Sequence, residues 1–129
     1  MSTVADTMTR DLLTIEPDAG LGEAARRMAS RGVGAVVVLD GERLSGILTE
    51  RDLLKAVAAG LREDAKVADW MTRHPETIES GDSTDHAASI MIHGGFRHLP
   101  VVDEGRTVGI LSIRDLMRVS LEDRAPCGV

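Results

Sequence analysis

The chain contains no tyrosine, one tryptophan and one phenylalanine. Single-stranded nucleic acids are held on aromatic stacking platforms, and almost none are available here. Positive charge is also scarce: 15 Lys and Arg face 21 Asp and Glu, giving a formal net charge of −6 and a sequence pI near 5.1. The basic field that displaces counterions from phosphates is missing, so nucleic acid is not an expected partner. A single cysteine, Cys127, excludes an internal disulfide framework and fits a reducing, cytoplasmic compartment. None of His74, His86, His93 and His98 forms a ligand spacing with it, and no metal is expected. No apolar run approaches the roughly 20 residues needed to span a bilayer. The opening Met1-Ser2-Thr3-Val4-Ala5-Asp6 lacks the basic-then-apolar pattern of a signal peptide, so no membrane association is expected. Nucleophile elbow, phosphate-loop signature and paired His/Cys constellation are all absent, and no catalytic residue is assigned.

What the chain does have is a motif written twice. Gly46-Ile47-Leu48-Thr49-Glu50-Arg51-Asp52-Leu53 returns as Gly109-Ile110-Leu111-Ser112-Ile113-Arg114-Asp115-Leu116. The two copies lie 63 positions apart, and at that offset residues 4–57 align on 67–120 without a gap. Identical pairs run through the alignment, from Val4/Val67, Met8/Met71 and Thr14/Thr77 to Gly32/Gly95, Asp40/Asp103 and Arg43/Arg106. An ungapped match of this length marks an internal duplication.

Each copy carries the same local signals. Val4–Thr9 and Val67–Thr72 read as short helical lead-ins, and Thr14-Ile15 and Thr77-Ile78 as brief extended pieces. Leu21, Ala24, Ala25 and Met28 follow helical spacing, matched by Ala87, Ala88 and Met91 with Ser83 as N-cap. Gly32 and Gly95 stand where C-cap glycines belong. Val33–Leu39 reads as a buried strand that turns at Asp40–Arg43 and returns through Leu44–Leu48. Leu99–Val102, Asp103–Arg106 and Thr107–Leu111 repeat that hairpin. The octapeptides then start helices whose apolar faces are read as Leu53, Leu54 and Val57, and as Leu116, Met117 and Leu121. Trp70 and the methionines are expected in core or dimer contacts.

The expected fold class is α/β (α+β), with two β-α-β-β-α repeats related by a pseudo-twofold axis. The boundaries are 1–60 for the first repeat with its lead-in, 61–66 for a connection, 67–121 for the second repeat and 122–129 for a frayed tail. A unit of about 55–60 residues is marginal for an independent core, so the two halves are expected to form one module.

The duplicated unit, the Gly-Ile-Leu-Thr/Ser-x-Arg-Asp-Leu motif and the preceding Leu99-Pro100-Val101-Val102-Asp103 resemble a tandem pair of cystathionine-β-synthase-type (CBS) domains, also called a Bateman module. The likeness runs from about Val4 to Leu121. It implies a cytoplasmic, non-enzymatic regulatory module that binds AMP, ADP, ATP or S-adenosylmethionine as a regulatory ligand in two inter-repeat clefts. No cofactor is required. The resemblance also implies a homodimer shaped as a flat disc and joined through helices, signalling to a separate protein target that the sequence does not name.

Carried over by position, Asp52 and Asp115 would accept hydrogen bonds from ribose hydroxyls. Thr49 and Ser112, with Arg51 and Arg114, would hold phosphate or ribose oxygens. The backbone at Thr14-Ile15 and Thr77-Ile78 would meet the adenine edge, and Gly34-Ala35 and Arg97-His98, with Pro100, would line the clefts. The chemistry suits such a ligand, since a carboxylate accepts from both hydroxyls of a vicinal diol, and phosphate favours a helix start with a guanidinium. The basic pair Arg97-His98 has Gly34-Ala35 as its counterpart, so a phosphate-bearing ligand is expected to favour the second copy. Two other readings stay open. Thr49-x-x-Asp52 and Ser112-x-x-Asp115 also satisfy the rules for helix caps. The whole chain could equally be a dimeric interaction or scaffold protein whose clefts hold no ligand.

Overall fold

A computed structural model describes residues 2–123. The order of elements is α1 (Val4–Thr7), β1 (Thr14–Ile15), α2 (Leu21–Arg31), β2 (Ala35–Asp40), β3 (Arg43–Thr49) and α3 (Glu50–Ala58), then α4 (Val67–Trp70), β4 (Thr72–Arg73), α5 (Thr84–Gly94), β5 (His98–Asp103), β6 (Arg106–Ser112) and α6 (Ile113–Asp123). This is a mixed α/β fold in which the second half repeats the first.

The local signals act as written. Gly32 and Gly95 end α2 and α5 in the left-handed region, φ 66° and 71°, which a residue without Cβ adopts at little cost. The Ser83 hydroxyl caps α5 by accepting the His86 N–H at 3.1 Å. The first hairpin turns through Gly41 at φ 64°, the second through Glu104 and Gly105 at φ 50° and 79°. Positive φ at both central residues, as in the second, or at the first of them alone, as at Gly41, gives a turn that matches the strand twist.

The chain divides into two compact units. Residues 12–75 with 105–107 form one, here the Asp52 unit; residues 2–11, 76–104 and 108–123 belong to the other, the Asp115 unit. In the Asp52 unit the sheet order is β1-β2-β3-β4, with β1 parallel and the other pairings antiparallel. Its core gathers Ile15, Leu21, Ala24, Met28, Val36, Val38, Leu48 and Ala56 with Val67 and Met71 from the lead-in of the second repeat; Trp70 packs against it, half-buried. The Asp115 unit has the β5–β6 hairpin flanked by two single bridges, Ile78 parallel to Val101 and Thr9 antiparallel to Ile110. Its core joins Ile78, Ala87, Met91, Leu99, Val101 and Leu111 to Val4 and Met8 from the lead-in of the first repeat.

Each lead-in therefore completes the core of the other repeat. The hydrogen bonds match at the 63-residue offset. Val4 and Ala5 N–H donate to Asp82 and Ser80 carbonyls at 2.8 and 2.9 Å, and Val67 and Ala68 N–H donate to Ala19 and Pro17 carbonyls at 2.9 and 2.8 Å. This exchange also explains the first residue of the repeated octapeptide. A methyl on Gly46 would stand 2.6 Å from the Thr72 carbonyl oxygen, and one on Gly109 would stand 2.9 Å from that of Thr9. Glycine is there to let the lead-in lie against β3 or β6.

Two expectations change. Thr77-Ile78 forms no strand; only Ile78 bridges to Val101. Leu54 and Val57 are 69% and 61% exposed, and Met117 and Leu121 59% and 67%, so they do not belong to the core face. The helical register turns Asp52 and Ala56 inward in α3, with Leu53 beside them, and Asp115 and Leu116 inward in α6. The tail assigned to 122–129 lies largely outside the described residues, as does Cys127; α6 itself reaches Asp123.

Candidate functional site

The expected ligand residues separate cleanly between the units. Thr14, Ile15, Gly34, Ala35, Thr49, Arg51 and Asp52 fall in the Asp52 unit, and Thr77, Ile78, Arg97, His98, Pro100, Ser112, Arg114 and Asp115 in the Asp115 unit.

In the Asp52 unit, β3 runs straight into α3 at Thr49. The Thr49 N–H donates to Asp52 Oδ2 at 2.9 Å, and the Asp52 N–H donates back to Thr49 Oγ1 at 3.4 Å. The Thr49 hydroxyl also donates to Oδ2, at 3.2 Å. This reciprocal box satisfies N–H groups that the first helical turn leaves without partners. All three bonds converge on one carboxylate oxygen or on the hydroxyl, so Oδ1 of Asp52 takes no part. Asp52 is nevertheless 8% exposed, a carboxylate held at the edge of a core. The Glu50 N–H donates to the Gly34 carbonyl at 3.1 Å, which brings the start of β2 beside the start of α3.

The Asp115 unit repeats this at β6–α6. The Ser112 N–H donates to Asp115 Oδ2 at 2.9 Å and the Asp115 N–H to Ser112 Oγ at 3.1 Å. The Ile113 N–H donates to the Arg97 carbonyl at 2.8 Å, as Glu50 does to Gly34. One contact has no counterpart. Oδ1 of Asp115, itself 5% exposed, accepts from the Arg118 guanidinium one turn further along α6. The corresponding position in α3 is Lys55, which makes no ion pair with a described residue.

The remaining expected residues are placed unevenly. Ile15 and Ile78 bury their side chains in the two cores at 4% and 3% exposure, so only their backbones can meet a ligand. Thr14 sits opposite Val37 in the parallel β1–β2 pair, and its carbonyl accepts from Arg27 at 3.5 Å. The Ile78 N–H donates to the Pro100 carbonyl at 3.1 Å, and its own carbonyl accepts from Val102 at 2.8 Å. Pro100 is fully buried, Ala35 is buried, and His98 is half-buried at the start of β5. Arg51, Arg97 and Arg114 are exposed, which leaves their guanidinium groups open to an anion from solvent.

Sequence reasoning passed over Arg118, although its i, i+3 spacing from Asp115 was a readable signal. It also passed over Ser80, whose hydroxyl and N–H donate to Asp103 at 2.5 and 2.9 Å. These two bonds, the hydroxyl first, hold the Asp103 carboxyl below its usual range, with Arg10 adding a smaller pull. A further concavity of about 600 Å³ in the Asp52 unit is lined by Glu16, Asp18, Asp40, Asp69 and Lys66, and includes none of the expected ligand residues. Among the described residues no cluster of three His, Cys, Asp or Glu could hold a metal, and no helix is long and apolar enough to cross a membrane.

Comparison with known proteins bears on this geometry. The CBS-domain family model matches the chain twice, over residues 4–59 and 67–122. Among curated relatives, a 17.7 kDa protein of Acidianus ambivalens is 36% identical over 92% of this chain and 73% of its own length. The CBS-domain protein CBSCBSPB2 of Arabidopsis thaliana is 41% identical over 78% of this chain, but that match spans only 19% of the larger protein. A Burkholderia ambifaria MC40-6 protein with CBS domains, described as a signal-transduction protein, superposes with a TM-score of 0.91 at 32% identity, covering 99% of this chain and 100% of its own. The CBS pair of MJ0100, solved with 5′-methylthioadenosine and S-adenosylmethionine, gives a TM-score of 0.89 at 26% identity over 96% of this chain and 99% of its own. CBSX2, solved with AMP, gives 0.83 at 27% identity with the same coverage of both chains.

Proposed function

Because the chain belongs to the CBS-domain family and carries the domain twice, we propose that it is a non-catalytic regulatory module whose ligand contains adenosine. The observation that supports this most directly is that two neighbours of the same fold, each covering 96% of the chain, were solved with such ligands bound. In this reading Asp52 and Asp115 accept from the ribose diol. Thr49 and Ser112, with Arg51 and Arg114, meet ribose or phosphate oxygens. Backbone at Thr14-Ile15 and Thr77-Ile78 borders the adenine, and Gly34, Ala35, Arg97, His98 and Pro100 complete the surroundings. The capping bonds are compatible with this role, since each box leaves the carboxylate's second oxygen outside it.

The module acts as a homodimer in the cytoplasm and passes a ligand-dependent change to a protein target. Exposed Leu54, Val57, Ile92, Met117 and Leu121 are apolar surface of the kind helix-mediated assembly removes from water. Signalling demands that the ligand bind one conformation better than another, since equal affinity shifts nothing.

The test is thermal unfolding against AMP, ADP, ATP, S-adenosylmethionine and, as control, GMP. A ligand present at about a hundred times its Kd stabilises by about 2.7 kcal/mol, an easily read shift in Tm. Shifts confined to adenosine compounds are expected. No shift with any of them, in folded protein, would favour a dimeric scaffold with ligand-free sites.

A further inference from the structure

The two ligand-facing helix starts differ in charge. At α3 the first turn carries Glu50 and Asp52, with Arg51 and Lys55 as the nearby bases. At α6 the only acid in the first turn is Asp115, because Ile113 replaces Glu50; the bases are Arg114 and Arg118, with Arg97 tied to the helix start through its carbonyl. One base in this second set is already engaged. Arg118 rests on Oδ1 of Asp115, the carboxylate oxygen that the cap leaves over.

We infer that Arg118 is a specificity-determining residue that makes the Asp115 site select anionic adenosine ligands over neutral ones, a role that rests on the function proposed above. A ribose diol that is to reach Oδ1 must displace the guanidinium. A neutral nucleoside offers that guanidinium nothing in exchange, so the charge-assisted bond is lost outright. A phosphate offers an equivalent planar, bidentate partner, and the arginine passes from one anion to the other. The exchange costs adenosine more than it costs AMP. In the Asp52 unit no such arm covers Oδ1, and Glu50 repels phosphate at the helix start. That site takes uncharged or cationic adenosine compounds, the class to which a thioether or sulfonium nucleoside belongs. One protein then holds two chemically distinct ligands, one per unit.

Calorimetric titration with adenosine and AMP tests this. Asp52→Asn keeps the cap's geometry and leaves the Asp115 site to report; Asp115→Asn does the converse. In Asp52→Asn protein, AMP is expected to bind about threefold more tightly than adenosine, the value of one ion pair whose arginine is largely exposed. Adding Arg118→Ala should strengthen adenosine binding and bring the ratio close to one. Arg118→Lys should restore part of the preference. A gain in adenosine affinity is a result that loss of a purely structural contact does not produce. In Asp115→Asn protein the ratio should be one or lower, and Lys55→Ala should not raise it. Equal ratios in the two units, or a ratio that ignores Arg118→Ala while both ligands still bind, would overturn the inference. Failure of both ligands to bind the unaltered protein would instead overturn the adenosine reading itself, and the role of Arg118 with it.

Discussion

Asp52 and Asp115 occupy the same position in two copies of one motif, close the same capping box and are almost equally buried. What separates them is the residue three places on: Lys55 leaves its carboxylate alone, and Arg118 grips its own. With lysine at this position in one unit and arginine in the other, two matching carboxylates are left with different partners. Lysine is a strongly hydrated point charge that gains little from a partly buried carboxylate, whereas arginine's flat fork fits one. The scaffold is held constant while charge beside it varies.

The most forceful way to break the comparison is to attack what both units share. Gly46→Ala and Gly109→Ala should each destabilise by about 1–3 kcal/mol, because the new methyl collides with backbone of the incoming lead-in. Gly46→Ala should cost more, as the backbone carbonyl it meets stands at 2.6 Å rather than 2.9 Å, and backbone yields less readily than the methionine sulfur each also meets. Urea denaturation of the two variants measures this; near-neutral results would mean that the lead-ins do not lie where the fold places them.

The exchange of lead-ins was the part of the fold least legible in the sequence. Repeat length, hairpins, caps and helix ends could all be read from spacing and from glycine. The partner of each lead-in could not, because Val4-Ala5-Asp6 and Val67-Ala68-Asp69 are identical, and a pattern that fits both cores equally names neither. The exposure of Leu54, Val57, Met117 and Leu121, against expectation, has a related cause. An apolar stripe wider than the core requires looks the same whether its surplus is buried within the unit or left at the surface. At the site, the hydroxyl–aspartate pairs were readable as caps, while the pairing of Arg118 became evident only once the helix register had been fixed.

A gentler perturbation sharpens the contrast between the carboxylates. Asp52→Ala and Asp115→Ala each lose the carboxylate half of the capping box, about 1 kcal/mol. Asp115→Ala also strands Arg118, but that side chain is 57% exposed and rehydrates, so the excess should be only a few tenths of a kcal/mol. The excess should shrink at high ionic strength. Chemical denaturation at low salt and at about 1 M salt would show it. In the reverse direction, Lys55→Arg should graft the grip onto Asp52 and weaken adenosine binding there by about threefold, with AMP affected less. Calorimetry in the Asp115→Asn background reads the change, and an unchanged adenosine affinity would show that position 55 does not reach the carboxylate.

The smallest effect is set by another non-equivalent pair, Ser80/Asp103 in one unit and Pro17/Asp40 in the other. Proline has neither N–H nor hydroxyl to donate, so Asp40 stays exposed while Asp103 is bound twice by Ser80. Those bonds depress the carboxyl of Asp103 below its ordinary 3.8, which means that the folded protein holds the proton less tightly than the unfolded chain. The stabilisation is therefore fully present above that ordinary value and is lost as the pH falls through the lower folded one. Ser80→Ala should lower Tm at pH 7 and leave it nearly unchanged at the acid end of the folded range, so the two melting curves converge between about pH 5 and pH 2. The Pro17→Ala variant should show no comparable acid convergence, because that change removes no hydrogen bond to a carboxylate. A Ser80→Ala deficit that stayed constant down to low pH would assign the serine a packing role and leave Asp103 out of the account.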